Sequence, residues 1–363
     1  MSRAAAVAGM STAVAFGGVL DGSSHSLASP PIRVWGPQFK DGDELKQAVV
    51  LDCGSGYTRI HLMSLREDGM VHSERIGVLP PVASCIEGRI DDSHFRDRDL
   101  AAELWIDALE EKLEGIRPSA PVFVGATGGL REAVESARVI QRDIEGFSGS
   151  VRERLGDRAT FQILTGEEEA YAELIATRFV AKRKLGLGEG NAPVNFLSCG
   201  GMTSQIGYGA ETKFLSFTTN VKGGNTWALD NRKDLRTALA TYESRVAKAM
   251  EAAGDLKLQG LFVGIEMLGF VGEIAGIEGQ ILSTNLAKKA LATYRNEWLA
   301  KNDIPSKDRS EWTWRQVIHP VLATATLQLL SVLDENSQIM FQREFVFDGG
   351  HTLVPSWTLG VYL

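Results

Sequence analysis

Asp52-Cys53-Gly54-Ser55-Gly56-Tyr57-Thr58-Arg59-Ile60-His61 is the stretch whose reading decides the fold. Ala48-Val49-Val50-Leu51 leads into it and Ile60-His61-Leu62-Met63 leads out, so it predicts two strands joined by a Gly-rich turn. The same design returns far down the chain. Pro193-Val194-Asn195-Phe196-Leu197 runs into Ser198-Cys199-Gly200-Gly201-Met202-Thr203-Ser204-Gln205-Ile206, again a strand, a Gly turn and a strand. One copy at Asp52 and one at Ser198 predict two related lobes facing a shared cleft.

Between and beyond the copies, strands alternate with helices. Leu104, Ala108 and Leu113 fall at roughly helical spacing and predict a helix over 100–113. Pro121-Val122-Phe123-Val124 reads as a buried strand entering Gly125-Ala126-Thr127-Gly128-Gly129, and Leu130-Arg131-Glu132-Ala133 opens a helix after it. Phe161-Gln162-Ile163-Leu164 is another strand, stopped by Thr165-Gly166. Glu167, Glu168 and Glu169 then occupy a first helical turn, where acids suit the helix dipole. Leu261-Phe262-Val263-Gly264 predicts a strand, 315–333 an apolar helix, and Phe345-Val346-Phe347 a last strand before Asp348-Gly349-Gly350. The pattern is α/β, with a first lobe over 46–165 to which 345–363 returns, and a second lobe over 166–344.

A chain of 363 residues exceeds the usual single core, which agrees with two lobes. With 44% hydrophobic and 23% charged residues it has the composition of a globular protein. The net charge of −8 argues against general binding to nucleic acid or anionic membrane, both of which need a cationic face. Three cysteines, Cys53, Cys85 and Cys199, outline no disulfide framework, and a reduced compartment is the default expectation. The segment 1–45 reads as a flexible tail or as a signal or transit peptide, with Arg3 before an uncharged run over 4–20; the expected location is cytoplasmic in the first case and the secretory pathway or an organelle in the second. That run is too short and too rich in Ala and Gly for a spanning helix, and no transmembrane anchor is expected.

Gly-rich turns at the ends of buried strands let backbone N–H groups approach an anion closely, so Gly54-Ser55-Gly56 and Gly200-Gly201 are candidate phosphate cradles. Asp52 at the end of its strand can hold a hydrated cation, and Glu169 is the candidate base. Thr127, Thr203, Ser204 and Gln205 can hold a water. Taken singly each is an ordinary turn, cap or surface acid. His61, His319 and His351 show no metal-ligand spacing, and neither a Walker A run nor a Ser-His-Asp signature is present.

Five short motifs in fixed order resemble the apyrases, the nucleoside triphosphate diphosphohydrolases. The family's D-A-G-S-T-G-S-R-I-H is similar to Asp52 through His61, and its G-A-T-A-G-L-R to Gly125-Ala126-Thr127-Gly128-Gly129-Leu130-Arg131. Its acidic third motif is similar to Leu164-Thr165-Gly166-Glu167-Glu168-Glu169-Ala170, its D-(L/M)-G-G-A-S-T-Q to Ser198 through Gln205, and its closing W-x-L-G to Trp357-Thr358-Leu359-Gly360. A weaker likeness covers 220–225. The resemblance implies an actin-like, ribonuclease H-like ATPase fold of two lobes with a nucleotide substrate in the central cleft and Mg2+ or Ca2+ bridging its phosphates. It implies Ser55, Gly56 and Tyr57 on the first phosphate loop and Gly200, Gly201 and Met202 on the second. Thr127, Thr203 and Gln205 would position the water, Glu169 would be the base, and Asp52 would serve the metal.

The chain departs from the family in three places. Ser198 stands where a metal-side aspartate is expected, leaving at most a contact to the cation through water. Ala170 follows Glu169 where apyrases have Gly, which leans toward the exopolyphosphatase and guanosine pentaphosphate phosphatase branch. The many disulfides of the animal extracellular apyrases are missing. The expected activity is therefore a metal-dependent release of terminal phosphate from nucleoside di- or triphosphates. The alternatives are an exopolyphosphatase-like enzyme, or a nucleotide-binding protein with impaired catalysis.

Overall fold

The computed structural model describes residues 46–89, 96–187, 194–199, 204–209, 215–219, 257–301, 314–348 and 350–363, together with 240, 243, 244 and 247. The segment 1–45, the turn residues Gly200, Gly201, Met202 and Thr203, and the weak likeness at 220–225 lie outside the described residues.

The first sheet holds β1 (Gln47–Cys53), β2 (Thr58–Leu65), β3 (Val71–Leu79), β4 (Val122–Ala126) and β5 (Ala159–Ile163) in the order β3-β2-β1-β4-β5. β1 pairs antiparallel with β2 and parallel with β4, and β4 is parallel to β5. The second sheet holds β6 (Val194–Cys199), β7 (Ser204–Tyr208), β8 (Leu215–Thr219), β9 (Leu261–Gly264), β10 (Ile281–Ser283) and β11 (Gln338–Phe341) in the order β10-β11-β9-β6-β7-β8. Here β6 pairs antiparallel with β7 and parallel with β9, and β9 is parallel to β11. Dropping β10, the two sheets share one plan: a three-stranded meander whose first strand is extended by two parallel strands. The paired strands that flank each Gly-rich stretch, β1 with β2 and β6 with β7, are the centre of each copy, and the registers correspond: Asp52 faces Arg59 as Ser198 faces Gln205.

One face of the first sheet is covered by α1 (Val82–Ile86), α2 (Arg98–Leu113), α3 (Gly128–Glu135) and α4 (Gln141–Leu155). The buried stripe of α2 is Ala101, Ala102, Trp105, Ile106, Leu109 and Leu113, whereas Leu104 is 46% exposed. Leu104 and Ala108 therefore set the helix one step out of phase when read from sequence. Trp105 decides the phase, because its indole N–H donates to the carbonyl of Pro80 while its ring packs on Phe147.

The outer face of the second sheet packs α6 (Met267–Ile274), α7 (Thr284–Lys301) and α8 (Trp314–Leu329). A third core lies between the sheets and joins Val50, Phe123, Phe196 and Val263 to α5 (Gly166–Leu185) and the C-terminal α9 (Trp357–Tyr362). α9 meets α5 so closely that a Cβ on Gly360 would stand 1.8 Å from the Ala172 carbonyl oxygen, so only glycine allows this crossing.

The C-terminal strand differs from the expectation. Phe345 and Val346 form β12, which pairs only with β13 (Thr352–Leu353) in a two-stranded ladder and joins neither main sheet. The strand that extends the second sheet is β11, whose alternation is hidden because Ile339, Met340 and Phe341 are all buried. A strand covered on both faces shows no period of two.

Candidate active site

A cleft of about 650 Å³ opens along the ends of β1 and β4. Its floor is made by two turns. The first, Gly54 to Tyr57, is closed by Gly54 N–H donating to Tyr57 O at 3.1 Å, and it leaves Ser55, Gly56 and Tyr57 exposed to the cleft. The second is Thr127 with Gly128 and Gly129, where β4 ends and α3 begins. A Cβ on Gly129 would lie 2.6 Å from Ser55 Cα, so the absence of a side chain there brings the two turns together. Thr127, 7% exposed, forms part of the wall.

Asp52 ends β1 at 6% exposure. Its Oδ2 lies 2.7 Å from Arg59 Nη2, and its Oδ1 accepts a hydrogen bond from Trp357 Nε1 at 3.2 Å. The register places Arg59 opposite Asp52 on the neighbouring strand, and α9 delivers Trp357 from the far end of the chain. Both carboxylate oxygens thus have protein partners.

The three acids that open α5 have different fates. Glu167 is exposed. Glu168 completes a capping box, accepting from Thr165 N–H at 2.7 Å while its own N–H donates to Thr165 Oγ1 at 3.1 Å. Glu169 turns inward, 7% exposed, and its Oε2 takes a hydrogen bond from Arg131 Nη2 at 2.9 Å. Arg131 also donates to the carbonyl of Leu164, so it is fixed by the strand end just before the helix. Burial raises the Glu169 carboxyl above its ordinary 4.5; Arg131 pulls it back and the Asp52 charge adds to the rise.

From the second lobe, Ser198 and Gln205 are buried at 1% and 2% exposure. Ser198 Oγ lies 2.7 Å from Glu173 Oε2 and 3.1 Å from Gln205 Oε1, and its one proton can serve only one of them. Burial, then the charges of Glu266 and Glu169, push Glu173 well above the usual carboxylate range. Ser198 donates to the Glu173 carboxyl at the shorter distance, with the Gln205 carbonyl within reach of the same hydroxyl. The Gln205 carbonyl is thereby held on the Ser198 side. The Gln205 amide nitrogen is buried with no hydrogen-bond partner among the described residues, close enough to Glu169 to favour its charged form. The structure brings together Asp52, Ser55, Gly56, Tyr57, Thr127 and Glu169 in the cleft wall, with Ser198 and Gln205 behind it; Gly200, Gly201, Met202 and Thr203 cannot be placed.

Glu266 lines the same cleft and no motif drew it out of the sequence. It follows β9 and precedes α6, and its backbone adopts φ 53 and ψ −121, a conformation that L residues rarely take. Burial raises its carboxyl to about 7, against the pull of Arg59 and with the push of Asp52 and Glu169. The one trace in the sequence is an acid just past a buried strand, Phe262-Val263-Gly264-Ile265-Glu266, as Asp52 lies at the end of β1.

No family model and no curated protein matches the chain. Solved structures do. A Ppx/GppA family member from Aquifex aeolicus superposes with a TM-score of 0.55 at 15% identity, covering 82% of this chain and 94% of that one. An exopolyphosphatase-like protein gives 0.53 at 15% identity over 88% and 97%. A nucleoside triphosphate hydrolase from Neospora caninum gives 0.55 at 13% identity over 87% and 91%. The chain has the actin-like two-domain fold of the Ppx/GppA proteins. In that fold the cleft described above lies on the first-sheet hairpin, with α5 and α9 behind it.

The residues on hand do not fit a divalent cation held by the protein alone. Asp52 is engaged at both oxygens, Ser198 brings no charge and is turned to Glu173 and Gln205, and among the described residues no group of three or more His, Cys, Asp or Glu is disposed to hold a metal ion. Among the described residues, too, no helix is long and apolar enough to cross a membrane.

Proposed function

We propose that the chain is a phosphohydrolase that splits phosphoanhydride bonds, releasing terminal phosphate from nucleoside di- or triphosphates in the manner of the apyrases it resembles. The observation that carries this is Glu169: a buried carboxylate, held in place by Arg131, in the wall of a cleft whose floor is two Gly-rich turns in contact. In this reading the N–H groups of Ser55, Gly56 and Tyr57, with those of Gly128 and Gly129, hold the terminal phosphate, and the resemblance assigns Gly200, Gly201 and Met202 to a second phosphate loop. Thr127, Thr203 and Gln205 orient a water. Its oxygen bonds to the terminal phosphorus as the bridging P–O bond breaks, its proton passes to Glu169, and the bridging electrons leave on the shortened phosphate chain. A divalent cation would have to come with the substrate's own phosphates and would neutralise part of their charge; Asp52 and Ser198, both engaged with protein partners, would hold it at most through water.

Exopolyphosphatase-like activity is the second reading. Ala170 after Glu169 favours it, and so does the likeness to the exopolyphosphatase-like structure. Phosphate release from ATP, ADP, GDP, UDP and polyphosphate, each with Mg2+, with Ca2+ and with excess chelator, tests both readings. Release from a nucleotide supports the first and release from polyphosphate alone the second. No release from any of them refutes both.

A further inference from the structure

The cleft carries charges of both signs. Its lining mixes acids with bases: Asp52, Glu169, Glu266 and Glu344 stand among Arg59, His61, Arg75 and Arg343. The basic group is built by the sheet: Arg59 and His61 are two residues apart on one face of β2, and His61 sits directly across from Arg75 on β3, next to the β-bulge in that pairing. Like charges on cross-strand neighbours repel unless something stands between them. Here the spacer is an imidazole that burial, Arg59 and Arg75 hold down to about 4, so it is neutral at physiological pH and offers no charge of its own. Arg343 comes from the other wall, its backbone pressed against Gly269 of α6.

Only Arg59 in this group has an acid partner, Asp52, and its Nε is buried without a hydrogen bond. Arg75 and Arg343 are exposed at the rim, form no ion pair among the described residues, and have free guanidinium groups. On a chain of net charge −8, three guanidinium groups line this one cleft, and two of them carry no ion pair among the described residues. Guanidinium forks match phosphate oxygens in geometry as well as charge.

We propose that the basic side of the cleft, formed by Arg59, His61, Arg75 and Arg343, is a second anion subsite that takes one phosphate group other than the group being cleaved. This rests on the phosphohydrolase reading for its meaning, but the binding itself does not. The phosphate comes either from the substrate's own chain or from released orthophosphate, and Arg75 and Arg343 hold it in both cases.

The test titrates orthophosphate into the free protein by calorimetry, and measures KM for tripolyphosphate and product inhibition by orthophosphate, for wild type, Arg75→Ala with Arg343→Ala, and Arg75→Lys with Arg343→Lys. Losing two charge-assisted contacts weakens phosphate binding by about tenfold or more. The lysine variant recovers most of it, because a point charge still serves phosphate. A rise in KM for tripolyphosphate at unchanged orthophosphate affinity identifies the substrate chain as the source. Weaker orthophosphate binding and relieved product inhibition identify the product. Less than twofold change in all three measurements overturns the subsite, as does a lysine variant as weak as the alanine one. Should no substrate be hydrolysed, the phosphohydrolase reading fails, and calorimetric titration of tripolyphosphate beside orthophosphate decides the subsite: less than twofold weakening of both in the alanine variant overturns it.

Discussion

Replacing Glu266 by glycine separates a backbone cost from an electrostatic one. With φ 53 and ψ −121, Glu266 sits where a side chain strains the main chain, at a cost of about 1–3 kcal/mol. Glycine removes that strain but loses more entropy on folding, about 0.5–1 kcal/mol. The net expectation is a gain of about 1 kcal/mol, which for a chain of this size raises Tm by roughly 2 °C. Glu266→Gln keeps the strain and removes the charge, so the difference between the Gly and Gln variants reports the backbone alone. The charge has its own signature. Because the folded-state carboxyl is raised from 4.5 to about 7, the unfolded chain releases this proton first as pH rises, and the wild type loses stability between about pH 4.5 and 7. Glu266→Gln lacks that loss, so it should match wild type near pH 4.5 and exceed it at pH 8. Urea unfolding at both pH values measures each difference. A Gly variant less stable than the Gln variant at both refutes the strain argument, and a Gln advantage that does not grow with pH refutes the electrostatic one.

Other expectations follow from the same geometry. Glu169→Gln should slow phosphate release by roughly 100-fold or more while leaving nucleotide affinity nearly intact, since it removes the proton acceptor and keeps the shape; activity within a few-fold of wild type, in a rate assay paired with equilibrium binding, would assign the base elsewhere. Arg131→Leu removes the guanidinium that opposes the burial-driven rise of Glu169, so the acid limb of the pH–rate profile should move to higher pH and stability should fall by about 3–5 kcal/mol; an unmoved limb would show that Arg131 does not govern this carboxyl. Ser198→Asp sets a second carboxylate against Glu173, 2.7 Å from the present hydroxyl and at a position 1% exposed. The variant should be destabilised by a few kcal/mol at pH 8 and by less at pH 5, where one of the pair is protonated; equal thermal stability at both pH values would place the new carboxylate near a cation instead.

Much of the site was legible because the chemistry is local. Glycines that let turns approach an anion, an acid at a strand end and an acid in a first helical turn each follow from a few adjacent residues. Their order along the chain was enough to propose two copies of one strand–turn–strand plan, which the matching sheet orders display. What misled the reading was burial on both faces: β11, buried at Ile339, Met340 and Phe341, was passed over, while Phe345-Val346, which looks like the start of a sheet strand, is a short ladder.

The sequence by itself determined the α/β class and the Gly-rich turn after Asp52, and proposed Glu169 as a base, because backbone conformation, capping and hydrophobic period are set over a few residues. Which of Glu167, Glu168 and Glu169 turns inward was decided by Arg131, 38 residues away, whose guanidinium only the packed sheet brings to the helix start. That Asp52 is met by Trp357 from 305 residues away, that Ser198 is bound to Glu173 in another element, and that Glu266 strains its backbone to face the same cleft were likewise decided by tertiary structure. Contacts of that separation have no local signature, since the entropy of closing such loops is met by the cooperative burial of the whole core and not by the residues that touch.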